Sequence, residues 1–173
     1  MDSHLEKLQR ALVEAAAGTP EEMSWHPPGG KWCAAEVLEH LYLTYTGTAK
    51  GFENVLLEGK PLATAQAWKH RVQTLVVLKF NYLPEGRKAP PRTMPKGLAM
   101  EKVLAEIPLR LTEMDALITR CEGQFGTNCK MLDHPVLGPL TAMQWRKFHF
   151  VHGMHHIKQI RNLRQMRGKT AKN

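Results

Sequence analysis

The run FHFVHGMHHIKQI, residues 148 to 160, places His152 and His156 four residues apart. On an α-helix that spacing puts both side chains on one face, with Cβ atoms about 5–6 Å apart, so two imidazole nitrogens can reach one ion. His152 with His155, and His149 with His152, are alternative pairs at i+3 in the same run. Two histidines do not complete a zinc-type site, which takes three or four protein ligands, so a third must come from another helix. His40 is the candidate, because it lies beside Val37 and Leu41 on the inward stripe of a long helical pattern. Burying several imidazoles without partners costs about 1–3 kcal/mol for each unpaired polar group, and a shared metal ion removes that cost from the whole cluster. Three neutral histidines leave a coordination position open to water, hydroxide or a substrate thiolate. A divalent ion such as zinc or nickel suits imidazole ligands. Each ligand also needs a partner for its second ring nitrogen, and Glu36, one turn before His40, and Gln159, three residues after His156, are within helical reach. His155 is rotated about 100° from His156 and is read as facing a bundle seam, a dimer partner or a carboxylate rather than the ion.

Four long helices are available to position these groups. Residues 2–17 carry Leu5, Leu8, Leu12, Ala15 and Ala16 at helical spacing, closed by Gly18 and Pro20. After a loop in SWHPPGGK, the stripe Val37, Leu38, Leu41, Tyr45, Thr48, Phe52 and Leu56 predicts a helix over 34–57. Val103, Ile107, Leu111, Met114 and Ile118 predict another over 98–121, with Pro108 expected to kink or break it. The last runs over 142–166 with Thr141 as its N-cap, and one face carries Phe148, His152, His155 or His156, Gln159, Leu163 and Met166. Between the second and third lies an inserted segment, 60–97. It comprises a short helix over 66–80, whose Thr74, Val76 and Val77 keep a strand open, and a Pro-rich connection over 83–97. Residues 124–140 read as loop and 167–173 as a disordered tail. The pattern predicts one all-α domain spanning 1–173, a four-helix bundle with crossover connections plus a short additional helix.

Composition narrows the function classes. With 173 residues, 43% of them hydrophobic, the chain can bury a sizeable core without disulfides. Cys33, Cys121 and Cys129 form no C-x-x-C, so no disulfide framework or Cys-rich zinc site is indicated, and a cytoplasmic location is expected. No leader and no apolar run long enough for a membrane span is visible. The net charge is +8, and 19 of the 24 Lys and Arg lie after residue 60. Nucleic acid or an anionic small molecule could answer that excess. The basic run Lys158, Arg161, Arg164, Arg167, Lys169 and Lys172 lacks any accompanying DNA-reading motif, and cations are favourable at a helix C-terminus. DNA binding is therefore a lesser alternative.

The segments PGGKWCAAEVLEHL (28–41), HPVLGPLTAMQW (134–145) and HGMHHIKQI (152–160) resemble the DinB/YfiT-like superfamily of metal-dependent four-helix-bundle proteins. The likeness covers most of the chain and points toward a subgroup of uncharacterised bacterial proteins. It implies a bundle with crossover connections, a three-histidine metal centre and a homodimer. Carried over by position, the first ligand falls on His40 and the H-x-x-x-H pair on His152 and His156. The resemblance further implies a metal-dependent thiol S-transferase, acting on a small-molecule thiol and an electrophilic substrate. A noncatalytic metal-binding stress-response module is the alternative.

Overall fold

The computed structural model describes residues 1–65, 70, 73–79, 81 and 88–170. Among the described residues the structure has five α-helices with assigned bounds: α1 (Ser3–Ala16), α2 (Pro20–Ser24), α3 (Ala34–Glu58), α4 (Met100–Phe125) and α5 (Ala142–Thr170). The four long ones build an all-α bundle. α3 packs most extensively on α4 and α1 on α5, while α3 also meets α5 and α1 meets α4. The first two long helices, α1 and α3, therefore occupy opposite corners, and the connection that carries α2 crosses the bundle end.

Local chemistry sets the helix starts. Asp2 Oδ1 accepts the His4 N–H at the start of α1. Glu36 reaches back to the Cys33 N–H at 2.8 Å to open α3, and Thr141 and Gln144 cap each other's backbone N–H at α5. The short α2, which sequence periodicity does not reveal, is a capping box built on Thr19 and Glu22 with proline at its first position.

Pro108 neither ends nor interrupts α4, so the alternative of a break at that turn does not hold. A mid-helix proline costs about 3 kcal/mol. Breaking the helix would forfeit the common stripe of Val103, Ile107, Leu111, Met114 and Ile118, all buried, at about 1.5–3 kcal/mol each.

Two further departures concern segments read as irregular. Residues 132–140 fold into a hairpin, β1 (Leu132–His134) and β2 (Gly138–Leu140), with Leu132 opposite Leu140. Its turn is held by His134, whose Nδ1 accepts the N–H groups of Val136 and Leu137, both at 3.1 Å. The hairpin docks through the Trp145 indole, which donates to the Leu132 carbonyl. In the inserted segment, residues 66–69, 71–72, 80 and 82–87 lie outside the described residues. The described part of the expected 66–80 helix ends in a π-helical turn, Leu75–Lys79, and the Pro-rich connection contains a 3-10 turn, Pro91–Thr93. At the other end α5 continues to Thr170, four residues into the expected tail; its Met166 is exposed, so the buried stripe stops at Leu163.

The cationic end of α5 is partly consumed by packing. Arg161 pairs with Glu14 at 3.2 Å and Arg164 with Glu22 at 3.4 Å, tying α5 to α1 and α2. Arg146, near the other end, is held by Asp115 and Glu122 of α4, both at 2.7 Å.

Close approach of α1, α3 and α5 depends on Gly153. A Cβ there would collide with Leu8 and lie 3.1 Å from the Tyr45 hydroxyl, both fully buried. Gly153→Ala is expected to cost about 1–3 kcal/mol through overpacking, outweighing its gain in helix propensity. A urea midpoint at or above the parent value would show that the helices move apart freely.

Candidate metal centre

α5 presents His152 and His156 on one face, and α3 brings His40 against them. His40 Nε2 lies 3.3 Å from His152 Nε2, which lies 3.1 Å from His156 Nε2. Ligand atoms of all three lie within 4.8 Å of one another. With zinc–nitrogen bonds of about 2.0–2.1 Å at tetrahedral angles, neighbouring ligand nitrogens stand about 3.3 Å apart, which is the spacing these pairs have.

The opposite ring nitrogens show how lone pairs are arranged. His40 Nδ1 donates to the Thr93 carbonyl at 2.8 Å, and His156 Nδ1 donates to Gln159 Oε1 at 3.0 Å. A carbonyl oxygen only accepts, so Nδ1 carries the hydrogen in both rings and each Nε2 points a lone pair inward. His152 stands between them and can give a hydrogen to only one. Three imidazoles with so few hydrogens among them form a poor hydrogen-bonded cluster and a good ligand set, so His40, His152 and His156 could hold a metal ion.

Burial supports the same donor state. His40 is 4% exposed, and desolvation lowers its pKa. Desolvation followed by the neighbouring histidines pushes His152 well below its ordinary value, and desolvation with His40 takes His156 to about 3. All three are neutral at pH 7, as ligation requires. Trp32 packs on His40 with ring centroids 5.3 Å apart, and Phe148 stacks on His152 at 5.2 Å, so aromatic rings wall the cluster.

The outer residues fall differently from the helical-reach argument. Gln159 meets His156, but Glu36 is engaged by Cys33 N and by His26 Nε2 at 3.1 Å. The group beside His40 is instead the backbone carbonyl of Thr93, 53 positions away, for which no side-chain pattern exists. His155 stays outside the converging set, its ring 5.3 Å from that of His156. His26, Cys33 and Glu36 also bring three donor atoms within 4.8 Å. There the capping box of α3 accounts for the proximity of Cys33 and Glu36, and His26 is exposed.

Spacing offers His149 as an alternative i+3 partner of His152, but it is not among the converging ligand atoms, and Glu39 escapes a spacing argument altogether. His149 is fully buried between Trp145, Phe148 and Tyr45, and neither of its ring nitrogens has a partner among the described residues. Glu39 is buried next to His40; an acid among the apolar Val37, Leu38 and Leu41 was the available signal.

No helix among the described residues is long and apolar enough to cross a membrane. No curated protein and no solved structure matches the chain. Residues 4–160, which include all three converging histidines, match the DinB superfamily, and the chain belongs to that family.

Proposed function

We propose that His40, His152 and His156 bind one divalent ion, zinc or nickel, and that the centre serves a metal-dependent thiol S-transferase acting on a small-molecule thiol. The observation that carries metal binding is the convergence of three Nε2 atoms while two of the three Nδ1 atoms are committed to oxygen acceptors. When bound, a divalent ion supplies Lewis acidity that deprotonates a coordinated thiol at neutral pH. The protein's residues do the rest: His40 and His156 are oriented through Thr93 and Gln159, while Trp32 and Phe148 exclude water from the rings they cover. The thiol sulfur then bonds to an electrophilic carbon as the leaving group departs with its electron pair. The thiol proton passes to solvent. The excess of Lys and Arg after residue 60 favours a thiol bearing carboxylates. The free thiols Cys33 and Cys121, both buried, fit a reducing cytoplasm.

A noncatalytic metal-binding module is the second reading, favoured by the burial of His40 inside the bundle. Titration of the purified chain with zinc or nickel, then with small thiols and electrophiles, separates the two. The transferase reading expects one ion per chain, a change in the cobalt-substituted absorption spectrum on adding thiol, and turnover. A loaded protein whose spectrum ignores every thiol supports the module and sinks the transferase.

A further inference from the structure

We propose that Glu39 is a positioning residue for the metal centre, holding the Pro-rich strap whose Thr93 carbonyl orients His40. The proposal rests on the metal reading for its effect on affinity, but its effect on His40 can be measured without any ion.

Glu39 is 3% exposed, and a buried carboxylate is costly unless its oxygens are hydrogen-bonded. Its partners are three successive backbone N–H groups of the strap: Lys96 at 2.6 Å, Gly97 at 3.1 Å and Leu98 at 3.2 Å. Gly97 has φ +79°, a left-handed conformation that helps point consecutive N–H groups at one anion. Charge-assisted bonds of this kind are about twice as strong as neutral ones.

The same strap reaches His40 three residues earlier. Thr93 closes the 3-10 turn Pro91–Thr93, its N–H and hydroxyl both bonded to the Pro90 carbonyl, and its own carbonyl accepts the His40 Nδ1–H. Pro90, Pro91 and Pro95 fix φ along the stretch, so anchoring residues 96–98 restricts where Thr93 lies. Adjacent positions on α3 thus grip one strap twice. Side chains one residue apart diverge by about 100° on a helix, and Glu39 is not among the converging ligand atoms. Its action on the centre passes through Thr93 and the tautomer of His40.

The test uses the full chain and its Glu39→Gln variant, with Glu106→Gln as a control. Glu106 accepts from the Tyr42 hydroxyl and from Arg110 on the partly exposed side of α4, and among the described residues it has no hydrogen bond to the strap or to the histidines. Long-range proton–nitrogen NMR of the metal-free proteins reads the His40 tautomer, and competition with a chelating dye reads zinc affinity. In the parent and in Glu106→Gln, His40 is expected to be wholly the Nδ1–H form. In Glu39→Gln it is expected to become a mixture, with zinc affinity about 10–100-fold weaker, the range for losing support around a ligating histidine. An anchor that only stabilises the fold would lower thermal stability and leave tautomer and affinity alone, and that result overturns the proposal. If the parent binds no zinc, the metal reading fails while the tautomer comparison still decides the role of Glu39. If Glu39→Gln does not fold, Gly97→Ala, which strains the strap and keeps the carboxylate, is read by the same criteria.

Discussion

His152→Ala is expected to abolish stoichiometric metal binding while leaving a folded bundle. His152 is the middle member of the cluster, within 3.3 Å of His40 Nε2 and 3.1 Å of His156 Nε2. Its removal leaves two imidazoles on different helices, fewer than the three protein ligands a catalytic zinc-type site takes. Losing a ligand should exceed the loss from disturbing its supports, so affinity is expected to fall by more than about 100-fold. Stability should change far less, because two effects oppose. The alanine opens space beside Phe148, yet it also removes a buried Nδ1 that has no partner among the described residues, a deficit of about 1–3 kcal/mol. Elemental analysis of purified protein checks this, with His26→Ala expected to keep its full metal content. Retention of metal by His152→Ala would remove the site.

Mild acid is expected to destabilise the metal-free chain steeply. Burial depresses His134 to about 4, and burial with the nearby His134 depresses His149 to about 3, against about 6.5 in an unfolded chain. Both groups are thus neutral in the fold at pH values where the unfolded chain would protonate them. Their contribution is fully present above pH 6.5 and is lost progressively as pH falls from 6.5 toward 4. Each site contributes a slope of up to about 1.4 kcal/mol per pH unit, so the pair gives about 2.7. Over two pH units the pair removes up to about 5 kcal/mol, the low end of a typical total of 5–15 kcal/mol. Urea midpoints with a chelator present at pH 7, 6 and 5 measure the slope. His149→Phe should flatten it by about one proton and raise stability at neutral pH, since both nitrogens of His149 lack partners among the described residues and phenylalanine fills a similar volume. Equal midpoints at pH 7 and 5 would show that these histidines are not held neutral by the fold.

Where the chain carries strong periodicity, the sequence anticipates the structure closely. The stripes of α1, α3 and α4 are long, and their buried residues include most of the apolar positions that spacing selects. His40, His152 and His156 come together because i,i+4 spacing is a local property of α5 and because His40 sits among apolar neighbours on α3. Features that depend on backbone groups escape. Thr93 acts through its carbonyl, which any residue possesses, and the hairpin is capped by His134 accepting main-chain N–H groups in a stretch dominated by Pro, Gly and Leu. Glu36 illustrates a competition that spacing cannot resolve. It lies one turn from His40 and three residues from Cys33, and the open N–H at the helix start takes it. Pro108 shows tertiary burial overriding a local helix breaker.

The short contact between His40 and His152 joins residues 112 positions apart, whereas His152 and His156 are four apart. The two contacts must therefore form at different stages of folding. The α5 pair exists as soon as one helix is made, on a timescale of about a microsecond, while the third imidazole arrives only when a loop of more than a hundred residues has closed. An ion captured early would be held weakly by two ligands and could not guide the chain. Its full affinity would be expressed only on the native topology, where it would act as a clasp between α3 and α5 that slows unfolding more than it speeds folding.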